Sequence, residues 1–295
     1  MAAEDNRRYN IFTNNKLIIE EHNERWKNGT ESYQMGINQF SDMLPEELEL
    51  YTTGRISSSQ MAEQGNHTVI FMPPPHVTLP KEVDWREYNA VTPVFKQGDC
   101  SSCWAVVAAG VLESQYFMKT RQLIPLSVQN LLDCSSKYGN YNCSGGLARN
   151  ALKYVRDNGG VDTQKAYPYK GVSEMCQYQQ KNEIPITIEH ICNIPKGDER
   201  AMAFAVAFIG PVAAGINSIT GLHGYKGGVF YNKHCSQVLT HEVLVIGFGT
   251  DPQEGDYWLI KNSWGTAWGE KGFGRIARNR DNQCGIASDV LVPLI

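Results

Sequence analysis

Residues 97–104 read Gln-Gly-Asp-Cys-Ser-Ser-Cys-Trp and lead into a predicted helix of residues 101–119, which puts Cys103 near a helix N-terminus. His241 follows much later in Leu-Thr-His-Glu-Val-Leu-Val, and Asn262 in Lys-Asn-Ser-Trp-Gly. A thiol, an imidazole and a side-chain amide in this order are the parts of a hydrolase with a cysteine nucleophile. The stretch therefore predicts a helix with a reactive thiol at its start.

Each of these side chains has a task in that chemistry. A free thiol is mostly protonated at neutral pH, and a helix N-terminus with a nearby imidazolium lowers the pKa of Cys103. His241 would be that imidazole, and Asn262 would fix its tautomer. The attacked carbonyl becomes an oxyanion, for which the Gln97 side-chain amide and the Cys103 backbone N–H would be the donors.

Other interpretations of the same residues stay open at this point. Cys100 and Cys103 form a Cys-x-x-Cys pair, which also occurs at zinc sites and in redox dithiols. Zinc would need a second matching pair, and Cys134 and Cys143 are too far apart in sequence for one. A single histidine in a strand is usually structural, but the order of thiol, imidazole and amide, with Trp264 beside the amide, favours catalysis.

The composition is that of a soluble globular protein. Of 295 residues 42% are hydrophobic and 20% charged, the net charge is -4, and nothing indicates a nucleic-acid surface. No apolar stretch is long enough for a membrane span, and the chemistry requires no metal or organic cofactor. The front segment, residues 1–78, holds 6 Lys+Arg and 11 Asp+Glu. Such an acidic segment fits electrostatic docking on the near-neutral body, residues 79–295, or simply a differently charged surface.

Eight cysteines indicate an oxidising compartment, in which some of them form disulfides. Their spacing in the sequence alone does not determine which cysteines pair. Glycosylation sequons begin at Asn28, Asn66 and Asn142. The chain shows no signal peptide, so we expect an N-terminal truncation or a lost leader, and a lysosomal or secreted protein.

Helices come first along the chain and strands later, which predicts an α+β fold. Residues 52–78 are rich in Ser, Gly and Pro and predict an extended linker with little packed structure. Helices are predicted at 4–27, 45–51, 101–119, 126–134, 147–158 and 198–208. Strands are predicted at 33–40, 186–191, 212–216, 243–247, 257–261 and 273–277.

The motifs together resemble the papain family of cysteine proteases, near the cathepsin L group. The front segment is similar to that family's propeptides in two patterns, one formed by Glu4, Arg8, Phe12, Asn15, Ile19 and Asn23, the other by Gly36, Asn38, Phe40 and Asp42. The resemblance implies a two-lobed fold with a helical lobe, a β-barrel-like lobe and a cleft between them. It also implies an inhibitory propeptide at 1–78 and a catalytic domain at 79–295.

The resemblance also assigns roles. It makes Cys103 the nucleophile, His241 the base and acid, Asn262 the orienting residue and Gln97 the oxyanion donor. Trp264 would shield the Asn–His hydrogen bond and contribute to the leaving-side subsite. Gly145 and Gly146 would bind an extended substrate. The implied disulfides are Cys100–Cys143, Cys134–Cys176 and Cys235–Cys284, which leave Cys192 as a small buried hydrophobic residue.

Three features depart from the family pattern. Ser101 replaces a glycine, which predicts a tighter substrate fit. The first propeptide helix is missing upstream of Glu4, which predicts weaker inhibition. The pocket for the second residue before the cut bond would be formed by Leu147, Ala148, Gly215 and Leu239, with Glu242 and Asp289 in place of small residues. A carboxylate there would pair with Arg or Lys, unless either side chain points to solvent.

We therefore expect a monomeric proenzyme of an endopeptidase that becomes active when acid loosens the front segment. Protein and peptide substrates and cystatin-like inhibitors are the expected partners, with no nucleic acid and no membrane. A catalytically silent relative would lack part of the set Cys103, His241, Asn262 and Gln97. The front segment could also act as an inhibitor once released.

Overall fold

The computed structural model describes residues 2–57, 68–219 and 221–295. Its helices are α1 (Ala2–Lys27), α2 (Pro45–Thr52), α3 (Cys103–Thr120), α4 (Val128–Cys134), α5 (Ala148–Asn158) and α6 (Glu199–Phe208). Its strands are β1 (Tyr33–Met35), β2 (Thr68–Ile70), β3 (Val83–Asp84), β4 (Gly160–Asp162), β5 (Glu183–Pro185), β6 (His190–Asn193), β7 (Val212–Ile216), β8 (Tyr225–Phe230), β9 (His241–Asp251), β10 (Gly255–Lys261), β11 (Phe273–Ala277) and β12 (Val290–Leu294).

One large sheet organises the second half of the chain. Its strands follow the order β1-β8-β11-β10-β9-β7-β12-β6-β2, with β3 paired to β9, while β4 and β5 form a separate pair. Among the described strands of this sheet, only the β11–β8 and β2–β6 pairings are parallel. The strands β1 and β2 lie at the two ends of this order and, as described, do not pair with each other. The expected barrel-like lobe is therefore an open sheet and not a closed barrel.

Local signals place the helix ends. Ser127 accepts a hydrogen bond from the Asn130 backbone N–H at 2.9 Å and so caps α4. Asp198 caps α6 in the same way through Ala201, at 2.8 Å. Gly159 ends α5 with a φ of 86°, a left-handed conformation that glycine adopts without strain.

The helix α3 connects the two halves of the body. Most of its residues are buried, and it contacts α4 and α5 as well as the long strand β9. A helix buried on nearly all sides is expected to be mostly apolar, and this one is, with Glu113, Ser114 and Gln115 as its buried polar residues. Its first residue, Cys103, therefore lies where the helices meet the sheet.

Several strands differ from their predictions. The predicted strand 186–191 is wrong. The strand β5 ends before residue 186, and β6 begins only at His190, so most of the predicted range lies between two strands. The predicted strand 33–40 shortens to β1. The strands β4, β8 and β12 were not predicted. In β8, Tyr-Lys-Gly-Gly-Val-Phe, two central glycines remove the alternating pattern on which strand prediction relies.

The predicted loose linker at 52–78 is also only partly correct. Residues 52–57 lie packed against the body, and residues 68–70 form β2 at the edge of the sheet beside β6. The side chains of Val69 and Phe71 pack on the hydrophobic core, whereas Ile70 and Met72 are exposed. Composition missed this packing, because the segment is ordered by its contacts with the body and not by its own propensity.

Hydrogen bonds within the front segment explain its sequence spacing. Arg8 on α1 donates to both carboxylate oxygens of Glu47 on α2, at 3.1 and 2.6 Å. Asn15 donates to the carbonyl of Ser41 at 2.9 Å. Asn23 both donates to and accepts from the Met35 backbone, at 2.9 Å in each case. The polar positions of α1 thus fix the strand and helix that follow it.

Three disulfides join Cys100 to Cys143, Cys134 to Cys176 and Cys235 to Cys284. Cys192 is free and buried in β6. Among the sequons, Asn28 is exposed at the end of α1, whereas the Asn142 side chain donates to the Leu132 carbonyl at 3.1 Å. Asn66 lies outside the described residues. Within the described ranges, no helix is both long and apolar enough to cross a bilayer.

Candidate active site

Cys103 is the first residue of α3 and is fully buried. Residue Gly54 of the front segment lies directly over its thiol. A Cβ atom placed on Gly54 would come within 2.9 Å of the Cys103 Sγ and 2.8 Å of the Ser101 carbonyl oxygen. Because Gly54 also has a φ of 153°, only glycine fits here without strain. The front segment therefore covers the Cys103 thiol with its main chain.

His241 and Asn262 meet because β9 and β10 are antiparallel neighbours, with Leu244 opposite Lys261. The Nε2 of His241 donates to the Oδ1 of Asn262 at 2.8 Å, and its Nδ1 has no hydrogen-bond partner among the described residues. The Trp264 ring lies over this pair, 4.8 Å from the His241 ring centre, and excludes water from the hydrogen bond. All three side chains are buried.

Gln97 is held in place from both ends of its side-chain amide. Its Oε1 accepts from the Ser263 hydroxyl at 2.6 Å. Its Nε2 donates to the Cys100 carbonyl at 3.1 Å and lies 3.4 Å from the Tyr51 carbonyl of the front segment. The predicted role as an oxyanion donor would need this kind of preorganisation, and here a carbonyl of the front segment lies within reach of the Nε2.

Burial keeps the thiol and the imidazole neutral. It raises the pKa of Cys103 to about 12, and the nearby Glu242 carboxylate adds to the effect. Burial lowers the pKa of His241 to about 4, an effect that the hydrogen bond to Asn262 partly offsets. The lowered thiol pKa predicted from the helix N-terminus is therefore wrong for this closed form. Desolvation by burial is the largest cause of the raised thiol pKa.

The covering segment binds through its main chain. The N–H groups of Gly54 and Arg55 both donate to the Thr240 carbonyl at 3.1 Å. The Gly146 N–H donates to the Gly54 carbonyl at 2.9 Å, and the Ile56 N–H to the Gly146 carbonyl at 3.3 Å. A Cβ atom on Gly145 would lie 3.0 Å from the Gly54 carbonyl oxygen. Gly145 and Gly146 thus leave room for an extended chain.

The Arg55 side chain fills a pocket beside this track. Its guanidinium donates to the Asp289 carboxylate, and its Nε lies 3.7 Å from an oxygen of Glu242. A Cβ atom on Gly215 would come within 2.8 Å of the Leu239 side chain and 2.9 Å of the Arg55 Nε. Gly215 and Leu239 therefore line the pocket that Arg55 fills. The Glu242 carboxylate accepts from the Ala148 N–H at 3.2 Å. Leu147, buried next to Ala148, precedes α5.

Four contributors to this site were not predicted from the sequence. They are Tyr51, Gly54 and Arg55 of the front segment, and Arg149, whose guanidinium lies 3.2 Å from an oxygen of Asp289. A signal for one of them was present, because Arg55 is the only Lys or Arg between residues 28 and 80. Ser101 contacts the front segment as well, donating to the Leu50 carbonyl at 3.0 Å.

The disulfide of Cys100 with Cys143 bears on the alternatives for the Cys-x-x-Cys pair. Cys100 is already bonded, so it does not form a dithiol with Cys103. The alternative that either carboxylate points to solvent also disagrees with the structure. Glu242 is 6% exposed as a residue, and the Asp289 carboxylate binds two arginines.

Aromatic side chains hold the front segment at the other end of the site. Phe40 packs edge-on against the Trp264 ring at 5.4 Å, and Gln39 donates to the Trp264 carbonyl at 2.9 Å. Tyr33 of β1 lies against Phe230 at 4.7 Å between ring centres. Both Tyr33 and Phe40 are buried.

Comparison with known proteins agrees with this geometry. Residues 79–294 match the model of the papain family of cysteine proteases, and residues 2–48 match the cathepsin propeptide inhibitor domain. Cathepsin L1 of Drosophila melanogaster is 46% identical over 99% of this chain and 80% of its own length. Cathepsin L of Sarcophaga peregrina is 46% identical over 99% and 88%.

A solved structure extends the likeness to the proenzyme form. The digestive procathepsin L2 proteinase from the Tenebrio molitor larval midgut superposes with a TM-score of 0.93 at 37% identity, covering 100% of this chain and 94% of the other. The chain therefore belongs to the papain family of cysteine proteases and is a cathepsin L-like zymogen that carries its own inhibitory propeptide.

Proposed function

We propose that the body is an endopeptidase that cleaves extended peptides through Cys103, His241, Asn262 and Gln97. The observation that carries this is the main-chain track over the thiol. Gly54 lies over Sγ while the flanking N–H and carbonyl groups bond to Gly146 and Thr240. A cleft that holds its own chain in this way also fits an extended substrate.

The reaction follows from the positions of the side chains. Once the front segment leaves, water enters, and the Cys103 thiol transfers its proton to His241, which Asn262 holds in place. The thiolate attacks the peptide carbonyl, and Gln97 and the Cys103 N–H stabilise the oxyanion. His241 protonates the leaving amine and then takes a proton from water, which releases the acyl group.

Arg55 supports a substrate preference. Its guanidinium occupies the pocket formed by Ala148, Gly215 and Leu239, with Glu242 and Asp289 as acceptors. A substrate side chain in this pocket would be arginine as well as leucine or phenylalanine, at the second position before the cut bond.

The sequence supports further proposals about location, inhibitors, oligomeric state and processing. Three disulfides and the cathepsin L likeness favour a lysosomal or secreted location. An open cleft after processing would admit cystatin-like inhibitors, and we propose a monomer. Processing would begin when acid loosens the front segment, and the cut would fall between Pro75 and Pro80.

Acidification of the purified proenzyme at about pH 4.5 under mild reduction tests the proposal. We expect a mass loss that corresponds to residues 1 to about 78, together with cleavage of peptides bearing Leu, Phe or Arg two residues before the cut. Cys103→Ala should abolish both, since no other group supplies the nucleophile.

The matched control is Cys192→Ala, which removes the other free cysteine and should leave processing and cleavage intact. A correctly disulfide-bonded protein that processes but cleaves no peptide, or a Cys103→Ala variant that still does, would refute the proposal.

A further inference from the structure

Four charged side chains meet in the pocket that Arg55 fills. One oxygen of Asp289 accepts from Arg55, and the other lies 3.2 Å from the Arg149 guanidinium on α5. Glu242 at the start of β9 is the fourth member. The Arg55, Glu242 and Arg149 side chains are 3%, 7% and 11% exposed and that of Asp289 is 23% exposed, so in the closed form water screens the first three little.

The charges of this cluster balance only while an arginine occupies the pocket. Arg55 and Arg149 supply two positive charges, and Glu242 and Asp289 supply two negative ones when ionised. When the front segment leaves, Arg55 goes with it, whereas Arg149 belongs to the body and remains on Asp289. One carboxylate, that of Glu242, then has no cation of its own.

We propose that Arg149 is a specificity-determining residue, which neutralises Asp289 and leaves the pocket with a single negative charge on Glu242. This rests on the proposed endopeptidase activity and deepens it. Without Arg149 the pocket would carry two negative charges and demand a cation. With Arg149 it requires one cation or one proton.

The substrate preference therefore depends on pH. An arginine side chain two residues before the cut bond stabilises ionised Glu242, whereas leucine desolvates it and favours its protonated form. The preference for arginine over leucine rises with pH. The charged and titratable groups that face Glu242 are Arg55 of the front segment, Asp289, Arg149 and the Cys103 thiol.

The electrostatics of the closed form point the same way. Burial raises the pKa of Glu242 to about 7, although Arg55 opposes the shift. This shift belongs to the form in which Arg55 fills the pocket, and it shows that burial at this position favours the protonated carboxyl.

The test uses the activated enzyme and two fluorogenic peptides that differ only in Arg or Leu at that position. The ratio of their kcat/KM values, Arg over Leu, is measured from pH 4.5 to 8, so that the titration of Cys103 and His241 cancels. We expect the ratio to rise about tenfold across this range, as befits the gain of one buried ion pair.

Variants separate the roles. Arg149→Gln should raise the ratio about tenfold at neutral pH by leaving two negative charges, whereas Arg149→Lys should keep it near the unmodified value. Glu242→Gln should lower the ratio and make it independent of pH. If Arg149 had a purely structural role, Arg149→Gln would lower both kcat/KM values equally and leave their ratio unchanged. Active-site titration and thermal unfolding would then show a loss of folded enzyme.

The outcomes are distinct. A ratio that does not change with pH in the unmodified enzyme, or that Arg149→Gln leaves unchanged, overturns this inference while cleavage of the Leu peptide upholds the endopeptidase. Absence of cleavage of both peptides overturns the proposed function itself.

Discussion

The front segment is held to the body by two contacts of opposite chemistry. The aromatic contact, Tyr33 and Phe40, packs on Phe230 and Trp264. The charged contact, Arg55, pairs with Glu242 and Asp289 in the pocket beside the thiol. Both are buried, but only the second contains groups that a change of pH can neutralise.

The two contacts differ in what they contribute. Burying an aromatic side chain stabilises a complex regardless of pH. A buried ion pair gains little net free energy, because desolvation offsets its attraction, but breaking one partner is costly. The aromatic contact therefore supplies affinity, and the charged contact determines which side chain fits the pocket.

The largest effect is expected from Phe40→Ala. Removing a buried phenylalanine costs about 3 kcal/mol, so the front segment should open about 100-fold more often at every pH. The measurement is the rate at which a thiol reagent alkylates Cys103 in the unprocessed proenzyme, in a Cys192→Ala background.

Ile37→Ala is the matched control for that variant, because Ile37 lies in the same stretch but is 53% exposed. It should leave the alkylation rate near that of the unmodified proenzyme. Equal rates for the two variants would show that the Phe40–Trp264 contact does not hold the segment.

A smaller and pH-dependent effect is expected from Arg55→Leu. At pH 7.5 the variant leaves ionised Glu242 without its cation, and opening should increase roughly tenfold. At pH 5 Glu242 is protonated, since its pKa is raised to about 7, so the leucine should be tolerated.

Alkylation of Cys103 at the two pH values, each relative to the unmodified proenzyme, measures this difference. Arg7→Leu removes an exposed cation of the same segment and is the control. An Arg55→Leu effect as large at pH 5 as at pH 7.5 would contradict a charge-based contact.

The smallest effect is expected from Glu47→Gln. The hydrogen bond from Arg8 holds the pKa of Glu47 below its usual range, so this pair stabilises the front segment at neutral pH and is lost as the pH falls through that lowered pKa. The variant should therefore process slightly faster at neutral pH and less steeply with acid.

Processing rates at pH 4.5 and 7 provide the measurement. Glu49→Gln, exposed on the same helix, is the control and should behave as the unmodified chain. If Glu47→Gln leaves the pH dependence unchanged, other groups trigger processing.

The sequence predicted the helices better than the contacts of the front segment, and the catalytic roles of the site residues stay predictions. The helix around Cys103 and the caps of α5 and α6 are local signals, so residue pattern alone identified them. The strand partners of β8 and the position of Arg55 depend on parts of the chain far apart in sequence. The direction of the thiol pKa also required the structure, because the position at a helix N-terminus predicts a lowered pKa whereas burial raises it.

The order of strands in the large sheet has one more consequence. Its two outermost described strands, β1 and β2, both belong to the front segment, paired to β8 and β6. An unpaired edge strand is a template for aggregation. The front segment thus pairs with both edges of this sheet. Its removal would expose the backbone N–H and carbonyl groups of β8 and β6 that now bond to β1 and β2. Assembly of the body is protected from self-association until the moment at which it becomes an enzyme.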